Sequence, residues 1–227
     1  MCDPKECLSS RAKTKPTSLD DIFNLPVERT ISVGQQVGLA LKLVKAVLQL
    51  HATPWLQPLW RLQDLAYFPT DDEGLSASLR TLHISTELVR STPSPRRCAD
   101  TLMVDVDTGN DGRQAASAID DAQLECGIRN LTMHSLGVAL LQIGQWDPLQ
   151  PGNIVAVRKV ADLADSRLGP KYQRLTQKCL ECDFGFGKDL AQPELQSAVY
   201  RDVVCELEEL VSLLDGRQSK RRGLEEN

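Results

Sequence analysis

Two stretches of the chain carry apolar residues on almost every helical face. From Val37 through Leu39, Ala40, Leu41, Leu43, Val44, Ala46, Val47, Leu48 and Leu50, they fill both the i, i+4 face and the opposite one. That pattern predicts a core helix surrounded by protein. Ser32, with Gln35 three residues on, forms a capping-box pattern at its start. Pro54 cannot continue a helix and biases Thr53 away from one, so the helix closes near His51. The second stretch opens at Ile128 and includes Leu131, Met133, Leu136, Val138, Ala139, Leu140, Leu141 and Ile143. It predicts a second buried pillar, in which Gly137 permits a close neighbour and Gly144 is the expected C-terminal cap.

Around these pillars the signals are shorter. Ser18 is placed to cap a short helix with Asp20 and Asp21 in its first turn, ended by Leu25-Pro26. Residues 57–69 mix Trp60, Leu62, Leu65, Tyr67 and Phe68 with two prolines and read as an ordered loop with a short strand. From about 70 to 125 the pattern breaks up: Asp71 to Gly74, Ser91 to Arg97 and Asp105 to Gly112 are turn-rich and polar, as in mobile loops. Only Leu102, Val104 and Val106 alternate there like a strand. A third helix is expected from about Ile154 to Asp165, with Val157, Val160 and Leu163 on one side. A fourth follows Gly169, with Pro170 near its first position and Tyr172, Leu175, Cys179 and Leu180 on its apolar face. A fifth begins at Pro193 and carries Leu195, Val199, Val203, Leu207, Leu210, Val211 and Leu214 over about six turns. Asp215-Gly216 is its expected stop. The organisation read from this is a disordered tail over 1–17, one mainly helical domain over 18–214 with a flexible insertion at about 70–125, and a disordered charged tail over 215–227.

The 227 residues suffice for one sizeable core. A net charge of −5 leaves no positive surface for phosphate backbones, so no nucleic-acid partner is expected. The longest apolar run, Leu136 to Ile143, is far short of the about 20 residues that cross a bilayer, so no membrane is expected either. Asp3, Lys5, Glu6 and Arg11 interrupt any signal-peptide pattern. Seven irregularly spaced cysteines fit reduced thiols. A cytoplasmic location is the expectation, with the nucleus left open by Ser219-Lys220-Arg221-Arg222, which otherwise reads as a solvated tail.

Four phrases in order carry a resemblance: Leu48-Gln49-Leu50-His51-Ala52-Thr53-Pro54-Trp55-Leu56, the run His134 to Gly144, Lys178-Cys179-Leu180-Glu181-Cys182-Asp183-Phe184-Gly185, and Ala198-Val199-Tyr200-Arg201-Asp202-Val203-Val204. Together they resemble the C-terminal lobe of a protein kinase, and more closely a fungal kinase-like family of undetermined function. Members of that family often stand beside a prion-inhibition or HeLo-type N-terminal domain in incompatibility and cell-death proteins. The resemblance implies a mainly α fold, a truncated kinase-like C-terminal lobe with long mobile loops. In a kinase, a helix ending in Leu-His precedes a His-Arg-Asp loop whose Asp accepts the substrate proton, with a metal-binding Asn five residues later. Counted from His51, that triplet falls on Gln57, Pro58 and Leu59, and the Asn on Asp64. A leucine accepts no proton, and no neighbouring register restores the triplet. Asp183-Phe184-Gly185 copies the kinase magnesium triplet but follows Ser135-Leu136-Gly137 instead of preceding it, so a structural turn is expected. Residues 1–31 hold neither a Gly-rich strand pair nor a lysine strand; Lys13 and Lys15 lie in no strand pattern.

No catalytic, cofactor-binding or metal-binding residue is therefore assigned, no cofactor is expected, and the chain reads as a non-enzyme. Cys179 and Cys182 make a C-x-x-C, but Cys2, Cys7, His51, His83 and His134 supply no finger-like spacing around it, so core packing is expected. No Gly-x-Ser-x-Gly elbow occurs. Trp55, Trp60 and Trp146 are expected as anchors sealing core edges rather than pocket walls. Glu206, Glu208 and Glu209 read as a solvated face or a meeting point for a basic partner. The function expected is a non-catalytic, pseudokinase-like interaction module that uses the apolar surface near Trp55 to Phe68 to bind another protein or its own copy. Two alternatives stay open: a divergent nucleotide-binding or phosphotransferase enzyme using Asp64 and Asp183, and a fragment of a longer kinase-like protein.

Overall fold

A computed structural model of the chain describes residues 15–24, 31–69, 79–84, 127–149, 154–163 and 167–225. Most of the expected N-terminal tail, the Leu25-Pro26 stop, Cys2 and Cys7, and the Leu102–Val106 alternation lie outside them.

The described chain is mainly helical. Strand β1 (Thr17–Ser18) leads into a 3-10 turn (Leu19–Asn24), then come α1 (Val33–Leu50), a 3-10 turn (Leu62–Asp64) and β2 (Leu65–Tyr67). A 3-10 turn (Leu79–Thr81), β3 (His83–Ile84), α2 (Leu131–Gln145), α3 (Ile154–Leu163) and α4 (Pro170–Glu181) follow. Last are α5 (Pro193–Val199), a π-helical turn (Tyr200–Cys205) and α6 (Glu206–Glu225), which run on without a break. The three strands form one small antiparallel sheet in chain order, with Thr17 opposite Tyr67 and Ala66 opposite His83. His83 and Ile84 thus belong to the sheet, although the sequence placed them in a flexible insertion. Their pairing partners, Leu65 and Ala66, lie well back along the chain, which local polarity does not reveal.

Helix-start signals that act within one turn match the sequence. The Ser32 side chain accepts the Gln35 N–H and the Gln35 side chain accepts the Ser32 N–H. Pro170 stands at the start of α4 behind Gly169, whose φ is +90°. At its far end α2 departs from expectation: Gly144 lies inside the helix, and the left-handed cap is Trp146 at φ 56°. The Trp146 indole is buried against Phe23 in an edge-to-face contact with centroids 5.3 Å apart. Core packing of that ring holds a conformation that glycine adopts more readily.

The two pillars differ. Helix α2 is enclosed, with Leu131 and every residue from Met133 to Gly144 buried. Helix α1 buries Gln36, Val37, Leu39, Ala40, Leu43, Val44 and Val47, but Gln35, Lys42 and Gln49 are exposed. Those three are seven residues apart, two helical turns each, so they form one solvent line along a helix expected to be surrounded.

The closest approach in the core is between α2 and α4. A Cβ built on Gly137 would fall 2.6 Å from the Leu180 backbone nitrogen and 2.8 Å from its Cα, so only glycine admits this neighbour. Buried polar side chains lock the same layer: Gln36 donates to the Ile143 carbonyl near the end of α2, and the Tyr172 hydroxyl donates to the Leu140 carbonyl at 2.8 Å. Burial raises the Tyr172 pKa well above its ordinary value, so the hydroxyl stays a donor.

The last helical unit explains its own irregularity. Leu195, Val199, Val203, Leu207 and Val211 repeat every four residues, a step that drifts by about 40° per repeat around an α-helix. A π turn, closed by i to i+5 bonds, absorbs the surplus residue. Val203 and Val204 can then both be fully buried. Helix α6 also passes through Gly216 to Glu225, so the expected stop at Asp215-Gly216 is corrected.

Candidate functional site

The segment after α1 turns sharply. The Thr53 hydroxyl donates to the Leu50 carbonyl at 2.7 Å, and the chain then presents Trp55, 55% exposed, and Leu59, 36% exposed. Immediately beyond, Trp60, Leu62, Leu65 and Tyr67 are buried in the main core, and Phe68 returns to the surface at 38% exposure. Phe68 stacks on His83, with ring centroids 5.1 Å apart and planes 18° from parallel. Trp60 and Trp146 therefore act as the expected anchors, whereas Trp55 faces solvent.

The residues that the sequence comparison set against kinase motifs lie in ordinary surface and turn positions. Leu59 is at the surface. The Asp64 carboxylate accepts the Arg61 N–H at 2.9 Å and so caps the 3-10 turn before β2. Asp183 is 68% exposed and lies 3.7 Å from the Arg129 guanidinium, Phe184 is buried, and Gly185 sits at φ +81°. Asp183-Phe184-Gly185 thus forms a turn beyond the end of α4. Among the described residues, no cluster of three or more His, Cys, Asp or Glu side chains could hold a metal ion. A crevice between α2, α3 and α4, lined by Leu141, Tyr172, Gln173, Thr176 and Gln177, has a cavity volume of about 10 Å³, room for about one water and far below the roughly 300 Å³ or more of a small-molecule site.

Cys179 and Cys182 are both buried. Burial pushes both thiols up in pKa, which keeps them protonated and unreactive. The acidic trio is matched within the molecule: Lys45 of α1 meets Glu208 at 2.7 Å, and Lys171 of α4 meets Glu209 at 3.0 Å and Glu206 at 3.4 Å. Nothing in the sequence pairs residues so far apart, so these partners were not legible there. No helix of the described residues is long and apolar enough to cross a membrane.

His134 is the one buried imidazole among the described residues. Its Nδ1 faces the Leu180 carbonyl at 3.4 Å, and its Nε2 is buried without a partner among the described residues. Burial, with the nearby Arg158 charge, lowers its pKa below the ordinary 6.5. The unfolded chain then binds the extra proton first. Stability from this group is complete above about pH 6.5 and declines as the pH falls below it, until the folded ring also titrates. Melting temperatures at pH 7.5 and 5.5 should show a drop that is smaller in His134→Asn; an equal drop in that variant would exclude this ring as the cause.

A protein-family model described as a domain of unknown function, DUF7580, matches residues 2–213. No curated protein and no solved structure matches the chain.

Proposed function

The chain belongs to the DUF7580 family, a membership that specifies no activity, and from the site itself we propose a non-catalytic, pseudokinase-like interaction domain. Its docking surface is the segment bearing Trp55, Leu59 and Phe68, and its occupant is another protein or a second copy. The observation that carries this reading is Trp55. More than half of its side chain is in water, while Trp60, five residues on, is 3% exposed. Tryptophan is the residue most often found at the centre of binding surfaces, because one rigid ring buries a large area at low entropic cost.

The missing chemistry supports the same reading. Leu59 stands where a kinase-like loop would need a proton acceptor, the Asp64 carboxylate is engaged by the Arg61 N–H, and Asp183 lies on an exposed turn. The kinase-like resemblance of the four phrases makes fungal incompatibility or cell-death signalling the setting we propose for this surface.

The test compares wild type with Trp55→Ser/Leu59→Ser by light-scattering mass and by pull-down from the native cell. Expected is a partner or dimer held by wild type and lost in the variant. The melting temperature should change by no more than about 2 °C, as for surface substitutions. Retention of every partner and of the oligomeric mass by the variant would overturn the proposal. So would a rise in melting temperature with millimolar magnesium and ATP, which only a nucleotide site would produce.

A further inference from the structure

His51 closes α1 with both ring nitrogens engaged. Its Nδ1 lies 2.8 Å from the Leu48 carbonyl, and its Nε2 lies 3.2 Å from Nε2 of Gln196 in α5. The same amide nitrogen donates to the Leu190 carbonyl at 2.9 Å, in the loop that leads into α5. A carbonyl only accepts, so Leu190 fixes which end of the Gln196 amide carries hydrogens. An NH2 group then faces the ring. The ring atom opposite has to accept, and the proton sits on Nδ1, which donates it to Leu48. The bonds from Leu48 through the imidazole and the Gln196 amide to Leu190 are complete only for the neutral ring.

A second proton, on Nε2, would set two N–H groups head to head across 3.2 Å. Turning the Gln196 amide over removes that clash but places its oxygen against the Leu190 carbonyl oxygen, two acceptors with no hydrogen between them. Ring protonation and the Gln196 link exclude one another. From this geometry we infer that His51 is a proton-operated latch: neutral, it ties the Leu190 loop to the end of α1, and charged, it lets that loop go.

The loop concerned is Asp183 to Gln192. It contains Gly185 and Gly187, both at φ +81°, and the exposed Phe186. Asn130 holds it by donating to the Lys188 carbonyl at 2.8 Å, and the Leu190 side chain is packed in the main core, so the freed part is the Ala191–Gln192 turn that enters α5. There the Asp189 carboxylate accepts the Ala191 N–H, and the Asp189 carbonyl accepts the Gln192 N–H. The charged groups on the elements that meet His51 are Lys42 and Lys45 on α1, Arg61 and Asp64 beyond it, Asp183, Lys188 and Asp189 in the loop, of which Asp183 faces Arg129, and Glu194 in the first turn of α5. Lys45 is paired with Glu208, and none of these groups forms an ion pair with His51 among the described residues. A charged ring gains no carboxylate to offset the link it loses.

The full chain, labelled with 15N, tests this by long-range ring correlations and by amide exchange corrected for its intrinsic pH dependence. At pH 8 the His51 ring is expected as the Nδ1–H tautomer. Between pH 8 and pH 5, opening of the Ala191 and Gln192 amides should rise on the order of tenfold relative to amides of α2. His51→Gln offers an amide oxygen that accepts from Gln196 at both pH values, so no such rise is expected. Gln196→Leu should show the open state already at pH 8 and no further rise. An Nε2–H tautomer at pH 8, or a rise as large as wild type in either variant, would overturn the latch. Should His51→Gln not fold, Gln196→Leu alone still decides.

Discussion

Gly137→Ala is expected to destabilise the protein by about 3 kcal/mol or more, the upper range for forcing extra volume into a packed core. In a chain of this length that lowers the melting temperature by roughly 6–12 °C. The added methyl would meet the Leu180 backbone at 2.6–2.8 Å, and a backbone inside α4 cannot rotate aside as a side chain can. The two helices would have to part, and Leu136, Leu140 and Cys179 lose contacts with them. Helix propensity alone gives the opposite sign, since alanine is favoured over glycine by about 1 kcal/mol in a helix. Gly38 in α1, with no atom within 4 Å of its notional Cβ, isolates that term. Gly38→Ala should raise the melting temperature slightly while Gly137→Ala lowers it. A Gly137→Ala protein melting at or above wild type would show that the α2–α4 contact yields.

Trp60→Ala is the second large effect, at about 3–5 kcal/mol as for other buried aromatics cut to alanine. Its indole sits in the main core at 3% exposure, joined there by Leu56, Leu62 and Leu65. The indole N–H has no hydrogen-bond partner among the described residues. Trp60→Phe, which removes that N–H and keeps most of the ring, should therefore cost much less than Trp60→Ala. Urea unfolding followed by near-ultraviolet circular dichroism separates these from Trp55→Ala, which should stay within about 0.5 kcal/mol of wild type. Equal midpoints for Trp60→Ala and wild type would contradict the packing described. The contrast also decides how binding is probed. Loss of a partner in Trp60→Ala would report a damaged fold, whereas loss in Trp55→Ser reports the surface.

What the sequence by itself determined here is whatever acts within a few residues. The Ser32/Gln35 capping box, Pro170 at a helix start, the close approach at Gly137 and the burial of Cys179 and Cys182 could all be read from spacing, because hydrogen bonds and helical faces repeat over one or two turns. The tertiary structure decided the rest. The solvent line Gln35, Lys42 and Gln49 exists because no element among the described residues covers that side of α1. Trp146 rather than Gly144 caps α2 because Phe23, more than a hundred residues earlier, holds its ring. Glu208 meets Lys45 and Gln196 meets His51 only after α5 and α6 fold back along α1. Above all, Trp55 and Trp60 lie in the same kind of sequence, and their opposite exposure follows from which of them the folded chain packs over. Burial is a property of surfaces that meet in space, so residues with the same local pattern can end on opposite sides of it.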